Sequence, residues 1–312
     1  MLKIKNLIFI VIFLEFFMIK NLLAITTGIF PVSETSKQYM IDHNVWSQSC
    51  PVDIERLRLV SFPFSDFNGN TQQGELIVLD TVAPYVLNIM ENLYKMKFPM
   101  ETVKRIETYD LKEEDTNFEG LPKEHNNTAS FNCRPIKDTN TFSIHSFGLA
   151  IDINPKQNPY FIIQDPDSES VKNRKPQESH IVLVQPFEGA YYLNRSNKRP
   201  GMITHDDEVV RLFYNNGFTI WGGNWNFPLD SQHFQTTREV ANLLALMNPV
   251  DAEYFFSLYV KSDILKSDKN AKDIIIEITN YYNKDAKKIT SYLKNNESDF
   301  IKNPKEILKA YY

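Results

Sequence analysis

Cysteine is nearly absent from this chain. The 312 residues hold Cys50 and Cys133 and no others. Neither stands in a C-x-x-C pair, which argues against a cysteine-bound zinc site. Basic charge is also short: 34 Lys and Arg face 39 Asp and Glu, for a formal net charge of −5. Nothing in that balance supports nucleic-acid binding. Past the first 24 residues no apolar run is long enough to span a bilayer, and there is no internal repeat. What remains is ordinary for a globular protein, with 42% hydrophobic and 23% charged residues, and the chain is long enough to bury a full core.

The one long apolar stretch is at the start. Lys3 and Lys5 precede Leu7 to Leu14, Glu15 interrupts, and the apolar character resumes from Phe16 to Ile19. Leu22-Leu23-Ala24 then offers a small residue for cleavage. A basic segment followed by a short apolar one reads as a secretory signal peptide over residues 1–24. An uncleaved anchor is the alternative, disfavoured by Glu15 and Lys20 inside the run. The expectation is an exported protein, periplasmic or secreted, with no membrane span after cleavage. In such a compartment an even pair of cysteines points to a Cys50–Cys133 disulfide, two buried thiols being the alternative.

Residues 27–50 carry few signals. Leu57 to Phe62 and Gly74 to Leu79 read as strands around an Asp66–Asn70 turn, hence a hairpin. A helix from Thr81, with Pro84 in its first turn, puts Val82, Val86, Ile89, Leu93 and either Met90 or Met96 on one face. Residues 110–130 read as a long polar loop and residues 165–180 as a charged surface insertion ending near a solvated His180. Thr204 to Asp207 resembles a capping box before a helix closed by Gly217. Phe218 to Trp221 reads as a strand, and Thr236 with Glu239 as the start of another helix. From Asn248 the composition shifts to Lys, Asp and Asn, with helical stripes at Ile275, Ile278, Tyr282, Ile289 and Leu293. The division expected is a signal peptide (1–24), a catalytic domain (25–248) and a helical C-terminal extension (249–312) of unknown role.

Two stretches carry chemistry. The first runs from Ser143 to Pro155, with His145 and Asp152 at H-x6-D spacing and Asp152 among apolar residues of a strand. A carboxylate there is costly unless it is paired, hydrogen-bonded or metal-bound. The second runs from Trp221 through Gly222-Gly223, Asn224 and Trp225 to Asp230, His233 and Phe234. Two histidines and one aspartate form a three-ligand set that suits catalytic zinc. A further carboxylate supplies a general base.

The pattern S-x-H-x-x-G-x-A-x-D followed by W-G-G-x-W and D-x-x-H-F resembles the zinc peptidases that cut peptidoglycan stem peptides. That family includes the D-alanyl-D-alanine carboxypeptidases and the L-alanyl-D-glutamate endopeptidases. The resemblance extends upstream to Asn126 through Arg134, takes in Asn154-Pro155 and Asn158 to Tyr160, and covers roughly residues 45–236. It implies an α+β fold: a small antiparallel sheet with helices on one face and a Zn2+ site on the open face. It implies His145, Asp152 and His233 as metal ligands. Asp230 is then the base for a metal-activated water attacking the peptide carbonyl, with a role in orienting His233 as the alternative. Arg134 would bind a substrate carboxylate or the developing oxyanion. Ser143 would stand behind the site as a hydrogen-bond donor or touch substrate. Trp221 and Trp225 would wall a substrate groove or belong to the core. His43, His125 and His205 are not read as ligands. The substrate implied is a peptidoglycan stem peptide, cut at either of the two bonds. Two alternatives stay open: a non-catalytic zinc-binding interaction module, as in the Hedgehog signalling domain of the same fold, and a secreted peptidase acting on some other peptide.

Overall fold

The hairpin is longer than the sequence signals mark. In a computed structural model, strand β2 (Leu57–Ser65) pairs antiparallel with β3 (Thr71–Leu79), from Leu57 opposite Leu79 to Ser65 opposite Thr71. The structure describes residues 25–109, 125–137, 139–163, 182–262, 265, 266 and 268–302. The segment read as a signal peptide, residues 110–124 of the expected polar loop, the expected insertion at 165–180 with His180, and the residues after 302 lie outside them. The hairpin turn is closed by the Asp66 carboxylate, whose Oδ1 accepts the amides of Asn68 (2.9 Å) and Asn70 (2.8 Å). Gln72 and Gln73 add polar ends, so the strands run to the turn itself.

The weakly marked segment 27–50 is ordered. Strand β1 (Gly28–Pro31) joins the edge of β2, and helix α1 (Glu34–Asp42) follows, capped by Ser33, whose hydroxyl accepts the Ser36 amide. Val32, Met40 and Val45 are the anchors that hold it to the core. Three apolar anchors spread over fourteen residues produce little periodicity, which is why the sequence is quiet here.

Helix α2 (Ala83–Lys95) packs on this sheet and buries Val86, Ile89, Met90 and Leu93. Met90, not Met96, completes the expected stripe: Met96 is 37% exposed. The helix ends at Lys95, before Phe98-Pro99. At its entrance Arg56 grips both oxygens of Asp80 at 2.8 Å and donates to the carbonyls of Leu244 and Met247. One guanidinium therefore ties the hairpin to the C-terminal end of helix α4 (Arg238–Leu246), where orphan carbonyls need donors. That helix starts one residue later than the capping pattern suggests. Thr237 is its cap, accepting the Val240 amide, while Thr236 is fully buried and donates its amide to Leu149 as the strand before it ends.

The expected single sheet is instead several small ones. Strands β4 (Thr102–Val103) and β5 (Asn127–Thr128) form a short parallel pair. Strands β6 (Ala150–Asp152), β11 (His233–Gln235) and β9 (Ile220–Trp221) form one antiparallel sheet in that order. Strands β10 (Leu229–Asp230), β7 (Tyr160–Ile163) and β8 (Val182–Gln185) form another. The class is α+β, with antiparallel sheets and helices, as expected. Helix α3 (Glu208–Asn215) lies behind β11, where Phe213 stacks on Phe234 with ring centroids 4.0 Å apart. Its start differs from a full capping box: the Asp207 carboxylate accepts from the Thr204 amide and hydroxyl. Its end is as read, with Gly217 at φ +87°.

The C-terminal helices α5 (Pro249–Lys261), α6 (Asp268–Tyr281), α7 (Ala286–Asn295) and α8 (Glu297–Lys302) continue the same core. Asn248 caps α5, accepting the Asp251 amide, and Pro249 occupies its first turn. Phe255, Phe256 and Tyr259 are buried; the Tyr259 hydroxyl meets Thr219 Oγ1 at 2.8 Å, and Phe256 packs edge-on against Tyr85 at 5.0 Å. A Cβ at Gly217 would stand 2.4 Å from the Phe256 ring, so the glycine is required by the docking of α5 as well as by its backbone angle. The stripe of Ile275, Ile278, Ile289 and Leu293 is buried, as its spacing predicts.

Candidate metal centre

The site is built by strand register. In the β6–β11 pair Asp152 stands directly opposite His233, Ile151 opposite Phe234, and Ala150 opposite Gln235. Side chains alternate across a strand. Ile151 and Phe234 therefore enter the core, both fully buried, while Asp152, His233 and Gln235 share the other face. His145 comes from the 3-10 turn Ile144–Phe147 that feeds β6. Ser143 caps that turn, its Oγ accepting the His145 amide at 3.3 Å. Gly148 ends the turn at φ +68°, and a Cβ there would lie 2.5 Å from the backbone nitrogen of Leu79. Only glycine lets the turn close against β3 and still aim His145 across the sheet.

The three groups converge. His145 Nε2 is 3.2 Å from His233 Nδ1 and 3.3 Å from Asp152 Oδ1, and His233 Nδ1 is 2.8 Å from Asp152 Oδ1. Ligand atoms around a tetrahedral zinc, at ~2.0–2.2 Å from it, stand about 3.3 Å from one another. Two of the three separations match, and the third is a hydrogen bond that a cation would replace. The donor set also fits zinc chemically. His145 Nδ1 lies 2.6 Å from the carbonyl oxygen of Ser130, and His233 Nε2 lies 2.7 Å from Gln235 Oε1. Each ring thus has an acceptor for the nitrogen that points away from the cluster, the arrangement that orients metal-binding histidines. His145 and His233 are 5% and 6% exposed. Among the described residues, these three are the His/Cys/Asp/Glu group whose ligand atoms could hold a metal ion.

Without a cation, the cluster behaves as an ion pair. Burial opposes ionisation of Asp152, but the charges and hydrogen bonds of His145 and His233 hold its carboxyl well below the usual carboxylate range. Burial likewise opposes a charged His233, yet the Asp152 hydrogen bond and charge, with help from Asp230, raise it above the ordinary imidazole value.

Asp230 lies on β10, opposite Tyr160 of β7, and its Oδ1 accepts from the buried Gln232 amide at 2.9 Å. Its charge reaches His233. The segment from Ala129 to Arg134 wraps the other side. Ala129 and Asp152 exchange backbone hydrogen bonds, Asn132 donates to the His145 carbonyl, and the Arg134 backbone is held by Ser143 and Ser146. Cys133 in this segment is bonded to Cys50, with Cα atoms 6.0 Å apart.

The remaining expected site residues divide. Trp225 is half-buried with its ring 5.6 Å from that of His233, at the rim of the cluster. Trp221 is 4% exposed, donates Nε1–H to Ser231 and stacks near Phe234, which places it in the core. Ser143 is buried behind the cluster, and its hydroxyl accepts from the His145 amide. His205 stacks edge-on against Trp221 and is no part of the cluster, as read. The acceptors Ser130 and Gln235 were not anticipated. Ser130 acts through its backbone and leaves no sequence signal. Gln235 left one: it stands two residues after His233, hence on the same face of a strand.

No curated protein and no solved structure matches the chain. One family model does, the one described as D-alanyl-D-alanine carboxypeptidase, over residues 137–236. That span holds His145, Asp152 and His233 together with Asp230, and the resemblance seen in the motifs is therefore one to the zinc peptidase family of D-alanyl-D-alanine carboxypeptidases, matched over the segment that builds the cluster.

Proposed function

We propose that the protein is an exported zinc-dependent peptidase that hydrolyses peptide bonds in peptidoglycan stem peptides. The observation that carries this reading is the convergence of His145, Asp152 and His233 within 4.8 Å, inside the segment that matches the peptidase family. A zinc ion held by these three would supply Lewis-acid chemistry, polarising a carbonyl and making water a nucleophile near neutral pH. The chain's own residues do the rest. Neutral imidazoles at His145 and His233 and the single charge of Asp152 form the ligand set. Asp230 takes the proton as water attacks and returns it to the leaving amine. The guanidinium of Arg134, carried by the segment that wraps the cluster, binds a substrate carboxylate or the oxyanion. Trp225 packs beside His233 and bounds the groove on that side. The Cys50–Cys133 disulfide fits an oxidising compartment. Among the described residues no helix is long and apolar enough to cross a membrane.

The test is digestion of purified muropeptides by the metal-loaded protein, read by mass spectrometry. Loss of a terminal D-alanine, or cleavage within the stem, supports the reading and fixes the bond. Unchanged muropeptides in the presence of stoichiometric zinc would overturn it.

A further inference from the structure

The two histidines of the cluster are oriented by unlike groups. His145 points its Nδ1 at a backbone carbonyl, that of Ser130 (2.6 Å). No substitution at Ser130 removes that acceptor. His233 points its Nε2 at a side chain, Gln235 Oε1 (2.7 Å). His233 is 6% exposed, so water does not readily substitute for a lost partner. Gln235 is itself fixed: it sits on the central strand of its sheet, paired with Ala150 on one side and Ile220 on the other. Its side chain stands on the same face as His233, two residues along the strand.

We infer that Gln235 is the positioning residue that sets the tautomer of His233, and through it the metal affinity of the cluster. The inference rests on the zinc reading above. The chemistry is one of exclusion. An amide oxygen accepts hydrogen bonds and cannot donate. The proton of neutral His233 therefore belongs on Nε2, and the lone pair is left on Nδ1. Nδ1 is the atom that faces Asp152 Oδ1 at 2.8 Å and His145 Nε2 at 3.2 Å. The tautomer that satisfies Gln235 is the one that can ligate. The opposite tautomer would set a lone pair against the Gln235 oxygen and an N–H into the cluster.

The neutrality of this acceptor is a second consequence. A carboxylate at the same position would make His233 a stronger donor to the metal and add a negative charge beside it. With Gln235 the ligand set carries a single negative charge, that of Asp152, and a divalent cation keeps one net positive charge with which to polarise a carbonyl. Gln235 thus trades metal affinity for electrophilic strength.

The experiment measures zinc dissociation constants by competition with a chromophoric chelator, on the full mature chain. Wild type is compared with Gln235→Leu and Gln235→Glu. Gln235→Leu removes the acceptor at similar size and is expected to weaken zinc binding by ~10–100-fold. Gln235→Glu restores an acceptor and is expected to bind zinc at least as tightly as wild type. A merely structural role would not produce that rescue. Nitrogen-15 histidine spectra of the zinc-loaded wild type give a reading that needs no variant: His233 should carry its proton on Nε2. A wild type that binds zinc while Gln235→Leu binds it equally well, or a His233 protonated on Nδ1, overturns the inference and leaves the peptidase reading standing. A wild type that binds no zinc overturns both.

Discussion

Asp152 and His233 are neighbours across two antiparallel strands, with Oδ1 and Nδ1 2.8 Å apart, although 81 residues separate them in the chain. The register of β6 against β11 is what makes the cluster, because a slip of one residue would turn one of them into the core. A cation held by these residues would take the place of this ion pair at the same atoms.

Removal of metal is the first consequence. The purified protein is expected to hold one zinc per chain, and dialysis against a chelator should abolish hydrolysis and lower the melting temperature. Zinc at about 100 times its dissociation constant stabilises by ~2.7 kcal/mol. The melting temperature should therefore climb with added zinc in wild type and stay flat in a His145→Ala, His233→Ala double variant. Stoichiometric zinc retained by that variant would disprove the ligand assignment.

The role of Asp230 separates by substitution. Asp230→Asn can still hydrogen-bond to Gln232 but cannot take a proton at neutral pH. As the base, its loss should lower kcat by ~10²–10⁴ while zinc content and KM hold. If excess zinc restores the rate, Asp230 acts by supporting His233 instead.

The metal-free protein should show a pH signature of the ion pair. The carboxyl of Asp152 is depressed, so its contribution is present above the usual value of 3.8 and is lost as pH falls through the lowered folded value. His233 is raised, so its contribution is present below its usual 6.5 and is lost as pH rises through the raised folded value. Melting temperatures in chelator should therefore fall from about neutral pH upward, and Asp152→Asn should flatten that limb. An unchanged alkaline limb in Asp152→Asn would show that some other group causes it.

The disulfide should matter to stability in proportion to the loop it closes. Cys50 and Cys133 are 83 residues apart, and a bridge of that span contributes about 2–5 kcal/mol. Urea denaturation of the oxidised protein and of a Cys50→Ser, Cys133→Ser variant measures the difference. Equal midpoints would mean the bridge constrains nothing that unfolding releases.

The C-terminal helices should not be removable. Phe256→Ala deletes a fully buried ring that meets Tyr85 and Gly217, at an expected cost of about 3–5 kcal/mol. Truncation after Asn248 should give an insoluble or unfolded product. A truncated chain with wild-type melting behaviour would mean that α5 is an independent appendage.

Local signals were legible where one short segment makes its own structure. The hairpin of β2 and β3, the Pro84 start of α2, the Gly217 end of α3 and the buried stripe of α6 and α7 all follow from spacing, turn residues or caps. The same local logic misplaced the cap of α4 by one residue, because Thr236 is claimed by a long-range bond to Leu149. It gave no account of β1 and α1, whose few anchors lie on the core at wide intervals. It also left Trp221 and Trp225 alike, where the structure separates them: one ring is 4% exposed and the other half-buried beside His233.

By itself the sequence determined which residue types could do the chemistry: two histidines and an aspartate in two motifs, with a further carboxylate three residues before the second histidine. Those are covalent facts of the chain. Their convergence, the choice of His233 Nδ1 as the inward atom, and the pairing of each ring with Ser130 or Gln235 were decided only by tertiary structure. Each depends on the register between strands joined by long connections. That register is selected by burying Ile151 and Phe234 together on the far face, an energy shared across the whole core and written in no single segment.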